Sequence, residues 1–197
     1  MLRGLKWLVA PALLLIASCA TANYASKAPD QSAQSIAGAQ LYIYSFLDAR
    51  SGDLGERMVA QVNEQLTARL TERGVASRIV TYADTTDKPA VGTIMVPVQE
   101  IIASRLEEEA EFGADFRLIV MPSDMMIYGA NQNYEITWEL IDVQTGEIVW
   151  TTTLSGSRTV WWNQNEASEG RARTVVDGLI EQMAASGLFN PQSEFAI

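Results

Sequence analysis

The chain has 197 residues, 14 basic and 24 acidic side chains and a formal net charge of −10, with no histidine and one cysteine. An acidic body repels phosphate, which speaks against nucleic acid and anionic lipid surfaces as its partners. The missing histidine excludes serine–histidine and cysteine–histidine catalysis and the usual zinc ligand sets, and one cysteine allows no internal disulfide.

In chain order, residues 1–18 carry Arg3 and Lys6, then an apolar stretch from Trp7 to Ile16, then Ala17 and Ser18 before Cys19. An apolar run this short does not cross a bilayer core that takes roughly 20 residues, so 1–18 is expected to be a signal peptide. Ile16-Ala17-Ser18-Cys19 resembles the bacterial lipobox: an aliphatic residue, two small residues suited to a signal peptidase, and a thiol able to carry diacylglycerol. The expected product is cut before Cys19 and held on a membrane through lipid on that residue, where multiple acyl chains anchor stably and one alone is marginal. Ala20, where lipoproteins of enteric bacteria kept at the inner membrane have Asp, implies the outer membrane. The alternative is an ordinary secretory signal with Cys19 incidental. Loss of 1–18 removes two bases and no acid, so the charge moves from −10 to −12.

Residues 19–39, rich in Ala, Ser and Gln, read as a lipidated flexible tether. About 20 residues of coil span roughly 25 Å on average and at most about 70 Å. A folded domain is expected over 40–189 and a short tail over 190–197. Leu41 to Leu47 is apolar on both alternating faces, as a central strand requires. Asp53 is placed to cap a helix over 55–73, with Glu56 as box partner, Val59, Val62, Leu66 and Leu70 on its inner face and Gly74 at its end. Ser77 to Tyr82 reads as a strand. Pro97 opens a second helix with Val98, Ile101, Ile102 and Leu106 inward and Glu107, Glu108, Glu109 and Glu111 on a solvated face.

Phe116 to Met121 is another two-sided apolar strand, which Met125 to Tyr128 either prolongs or follows separately. Tyr134, Ile136, Trp138 and Leu140 alternate with Glu135, Thr137 and Glu139, so the first set packs and the second meets water. After a turn at 142–146, Ile148, Trp150, Thr152 and Leu154 are expected on one face of a partner strand. A third helix starts at Ser168, buries Ala172, Val175, Val176, Leu179 and Met183, and stops at Gly187. The order β-α-β-α-β-β-β-α predicts an α/β (α+β) domain, a mixed sheet with helices packed on it.

Gly113-Ala114-Asp115-Phe116 and Leu140-Ile141-Asp142-Val143-Gln144-Thr145-Gly146-Glu147-Ile148-Val149-Trp150 resemble segments of the curli-secretion lipoprotein and penicillin-binding-protein activator B families. The resemblance implies a domain like the amino-terminal domain of TolB. Its motif is structural: Thr145 and Gly146 turn the chain while Ile148 and Trp150 fill a core, so it bears on fold more than on task. No pair of long amphipathic strands of the pore-forming kind is evident, and the tether is short for an activator that reaches a distant synthase.

No glycine-rich phosphate loop precedes a helix. A carboxylate pair for glycoside hydrolysis stays open because its spacing is a spatial fact, but no catalytic residue, cofactor or metal is expected. Arg158, Trp161 and Trp162 form the most suggestive local group, because one indole of a strand-borne pair is exposed and aromatics with Arg dominate interface anchors. Both rings packing at a sheet edge, or one stacking on a glycan, are the alternatives. The function expected is a non-enzymatic, outer-membrane lipoprotein with a periplasmic domain that binds an envelope protein, as accessory to a peptidoglycan synthase or secretion system. The alternatives are a glycan-binding or peptidoglycan-active domain, and a homo-oligomeric ring subunit.

Overall fold

The computed structural model describes residues 22–26, 34–50, 54–85, 97–128, 131–159 and 168–190. Along β2 (Gln40–Ser45), Leu41 and Ile43 alternate with Tyr42 and Tyr44, and all four are buried because helices lie over both faces of the sheet there. β2 pairs in parallel with β3 (Ala76–Thr81) on one side and with β4 (Phe116–Tyr128) on the other. β5 (Asn131–Asp142) and β6 (Ile148–Thr159) continue antiparallel from β4, and β1 (Ala22–Ser26) closes the edge antiparallel to β6. The order across this mixed sheet is β1-β6-β5-β4-β2-β3, the α+β arrangement expected, with one strand more.

On the first face lie α1 (Glu56–Glu72) and α4 (Ser168–Ala185), whose inner stripes are those the helical spacing predicts: Val59, Val62, Leu66 and Leu70, and Ala172, Val175, Val176, Leu179 and Met183. They pack on Leu118, Ile136, Trp138, Leu140, Trp150 and Leu154, where each fully buried aliphatic side chain contributes roughly 1.5–3 kcal/mol. The Trp150 indole N–H donates to Ser186 Oγ at 3.0 Å, so the polar edge of this large core residue is satisfied. On the second face, the 3-10 turn Leu47–Arg50, α2 (Val98–Ser104) and α3 (Leu106–Phe112) belong to a cluster of Tyr42, Tyr44, Phe46, Val80, Tyr82, Ile101, Ile102 and Ile119.

The structure revises several expectations. Part of the segment read as tether is seated on the domain. β1 pairs with β6, Ile36 is fully buried, the Ile36 N–H donates to the Leu188 carbonyl at 2.7 Å, and Ser35 Oγ donates to the Asn190 carbonyl. Low apolar content hid this because a strand pairs through its backbone and one isoleucine suffices as a plug. Asp53 lies outside the described residues, and the N-cap of α1 is Gly55, at φ 91, with no side-chain cap. The second helix breaks at Arg105, and Leu106 is exposed.

Met125 to Tyr128 prolongs β4 past a bulge between Pro122 and Asp124, where proline supplies no ladder N–H. β4 and β5 are therefore long strands, 13 and 12 residues, which sequence reading did not find. Leu118 and Val120 of β4 and Ile136 and Trp138 of β5 are packed in the helix-covered core. A second register shift, opposing Leu140 to Trp150 and Ile141 to Ile148, turns Ile148 out of the core that sequence spacing assigned it.

Candidate functional site

The second face is divided along the boundary between β4 and β5. On the helix-covered side, Glu109 of α3 is 2% exposed, and Arg117 of β4 meets it. Arg117 Nε donates to both carboxylate oxygens at 3.0 and 3.1 Å, and its Nη2 donates to Oε2 at 2.7 Å. The Tyr44 hydroxyl donates to the same Oε2 at 3.1 Å. Each charge is thus compensated and held in a forked geometry, the condition under which a buried carboxylate is tolerated. Glu109 was expected in water. It lies seven residues after Ile102, so helical phase places it on the inner face, and grouping it with its acidic neighbours by composition obscured that.

A more open group lies beside it. Glu108 bridges Arg78 of β3 and Arg105, whose Nη1 donates at 2.7 Å. Hydrogen bonding from Arg105 holds the Glu108 carboxyl below its ordinary value. Burial, then the neighbouring Glu108 charge, pushes the Tyr42 phenol up to about 12; burial and Glu109 raise Tyr44 as well. Among the described residues, the Tyr42 hydroxyl has no partner in full hydrogen-bond geometry, although Glu108 is close enough to act on it.

The other side of this face carries a different surface. Glu135, Thr137 and Glu139 of β5 stand opposite Ser155, Thr153 and Thr151 of β6, giving a ladder of carboxylates and hydroxyls. Five of these side chains are half-buried and Ser155 is exposed. Ser123 Oγ donates to Glu135 Oε1 at 3.0 Å, which draws the end of β4 into the ladder. Facing pairs have Cβ atoms about 5 Å apart, so acceptors and hydroxyl donors recur along both strands at a spacing that suits a polar chain or an extended polar surface. This is the candidate interaction surface. Sequence reading had these β5 residues facing water but assigned them no role, because their coincidence with the β6 hydroxyls appears only in the register.

At the end of the sheet where the β5–β6 turn lies, a shallow hollow is lined by Gln34, Ser35, Gly38, Asp115, Asp142 and Gln144. Both carboxylates shape the backbone: Asp115 Oδ2 accepts the Gln40 N–H at 2.8 Å, and Asp142 Oδ1 accepts the N–H groups of Gln144 and Thr145 at 2.8 and 2.9 Å. Among the described residues, no group of three or more His, Cys, Asp or Glu is placed to hold a metal ion, and no helix is long and apolar enough to cross a membrane.

Of the residues singled out from sequence, Arg158 alone lies among the described residues. Arg158 lies on β6 opposite Gln132, beyond the ladder. Trp161 and Trp162 lie outside the described residues, as do Ile16, Ala17, Ser18 and Cys19.

The chain is thus an α+β domain of one mixed sheet, whose second face is half covered by the described helices. No protein-family model matches it, and no curated protein is similar to it in sequence. Among solved structures, the PelC dodecamer from Paraburkholderia phytofirmans is similar at 20% identity and a TM-score of 0.49, over 87% of this chain and 100% of that one. Lipoprotein GNA1162 from Neisseria meningitidis is similar at 17% identity and a TM-score of 0.42, over 75% and 99%. A minor lipoprotein from Acinetobacter baumannii is similar at 16% identity and a TM-score of 0.30, over 78% and 94%.

Proposed function

We propose that the chain is a non-enzymatic lipoprotein of the outer membrane, anchored through Cys19, whose periplasmic domain binds another envelope protein through the Glu135–Thr137–Glu139 and Thr151–Thr153–Ser155 ladder. The observation that carries the binding role is that ladder, an ordered carboxylate and hydroxyl surface over strands whose opposite face is fully packed. The anchor rests on Ile16-Ala17-Ser18-Cys19 closing an apolar segment that follows two bases. Resemblance to the curli-secretion and penicillin-binding-protein activator B segments supports an accessory role beside a secretion assembly or a peptidoglycan synthase.

A photo-reactive residue placed at Thr153 or Ser155 in the full-length protein tests this in whole envelopes. The expected result is a cross-link to one protein, lost when Glu135 and Glu139 are both changed to Gln. Cross-links from Leu106 on the opposite half of the domain, and none from the ladder, would transfer the binding role elsewhere.

The same ladder favours a second reading, glycan binding, because carboxylates and hydroxyls are the groups that hydrogen-bond sugar hydroxyls. Retention on purified sacculi without a protein cross-link supports it, and released muropeptides would make the domain an enzyme. A homo-oligomer is the outcome if the cross-linked protein is a second copy of this chain.

A further inference from the structure

Resting on the proposed anchor at Cys19, we infer that β1 fixes the orientation of the domain, so that the Tyr128–Asn131–Thr159 end of the sheet faces the bilayer surface. The argument is one of reach. Ala22 is opposite Gly156, and the ladder runs from there to Ser26 opposite Thr152. Cys19 precedes Ala22 by three residues, and three residues of chain span at most about 11 Å.

Gly156 is itself three residues from Thr159, which pairs with Asn131, the residue opposite Tyr128. The lipid attachment point is therefore confined near that end of the sheet. The opposite end is out of range, because from Gly156 back to Ile148 is eight residues of strand, about 27 Å. The hollow around Asp115 and Asp142 lies at that remote end.

The occupant of the near end is thus the membrane that holds the lipid on Cys19. A tether of about 20 residues would let the domain turn freely over roughly 25 Å. Five residues of β1 paired to β6 leave only a short link and set the strands steeply to the membrane. The β5–β6 ladder then looks sideways along the bilayer, where another membrane-held protein can reach it.

The test uses the full-length lipidated protein in phosphatidylethanolamine–phosphatidylglycerol vesicles that carry nitroxide-labelled lipid. A fluorophore is attached to a cysteine introduced at Asn133, near the membrane end, or at Gln144, at the remote end; both residues are exposed. The expected result is at least a threefold greater quenching at 133 than at 144, with the difference lost when residues 22–26 are replaced by a Gly-Ser sequence. Equal quenching at the two positions, or a difference that survives the replacement, overturns the inference while leaving the anchor intact. Failure of the protein to float with vesicles, together with an unmodified mass at Cys19, overturns the anchor and the orientation with it.

Discussion

Replacing Arg117 by Leu removes three donor contacts at 2.7 to 3.1 Å from a carboxylate that is 2% exposed, leaving it only the Tyr44 hydroxyl among the contacts described above. An unpaired buried charge costs about 3–5 kcal/mol, which is roughly a fifth or more of the ~5–15 kcal/mol that stabilises a typical domain. Replacing both Glu109 and Arg117 by Leu removes the charge with its partner, and the expected loss falls below about 2 kcal/mol, so the double variant is more stable than Arg117→Leu alone. Urea unfolding followed by far-ultraviolet dichroism measures both. A double variant no more stable than Arg117→Leu would refute the assignment of Glu109 as a buried ion.

A Cβ on Gly156 would overlap the Tyr134 ring at Cζ, so Gly156→Ala is expected to cost about 1–3 kcal/mol in urea, with part of the loss recovered by Tyr134→Ala; equal midpoints for Gly156→Ala and wild type would contradict that contact. Because Tyr42 and Tyr44 are raised above the ordinary 10, their neutral forms are favoured by folding, and the stability they contribute is complete below pH 10 and drains away above it. For Tyr42 the loss is on the order of 2 kcal/mol between pH 10 and 12. Absorbance at 295 nm should show these two phenolates appearing only as the domain unfolds, and their titration near pH 10 in folded protein would disprove it. Asp142→Ala removes the acceptor for two turn N–H groups and should cost about 1–2 kcal/mol, against a smaller loss for Asp142→Asn, read as shifts in thermal midpoint.

The parts of the fold legible in sequence are those where one face is wet or both are dry. Val59, Val62, Leu66 and Leu70 on α1, and Tyr134 to Leu140 on β5, repeat at 3.6 and 2 residues and are buried as that spacing dictates. Ile148 was misread because a register shift reverses alternation without altering composition. Glu109 was misread although two signals were present: its seven-residue spacing from Ile102, and Arg117 inside a strand otherwise apolar on both sides, where a charge needs a partner. β1 left no hydrophobic trace, since an edge strand is recruited through backbone hydrogen bonds. The candidate surface was half legible: Glu135, Thr137 and Glu139 read as outward, but their alignment with Thr151, Thr153 and Ser155 is a property of pairing between strands.

The chemistry of that surface also indicates how firmly a partner is held. Across the β4–β5 boundary the facing residues change from Ile119 and Met121, in the cluster with α2 and α3, to Glu139 and Thr137. A permanent subunit docked on this face of β5 and β6 would favour apolar residues there, since obligate interfaces resemble a core cut in two. A ladder of carboxylates and hydroxyls stays compatible with water when vacant, as a separable interface must. For a basic partner, complementary charge would govern the encounter rate more than the final affinity. Raising salt from about 0.05 to 0.5 M shortens the screening length from roughly 14 to 4 Å, so capture by the ladder should slow severalfold while urea stability of the domain changes little. Capture indifferent to salt would leave hydroxyl hydrogen bonding, and with it the glycan reading, as the better account of this face.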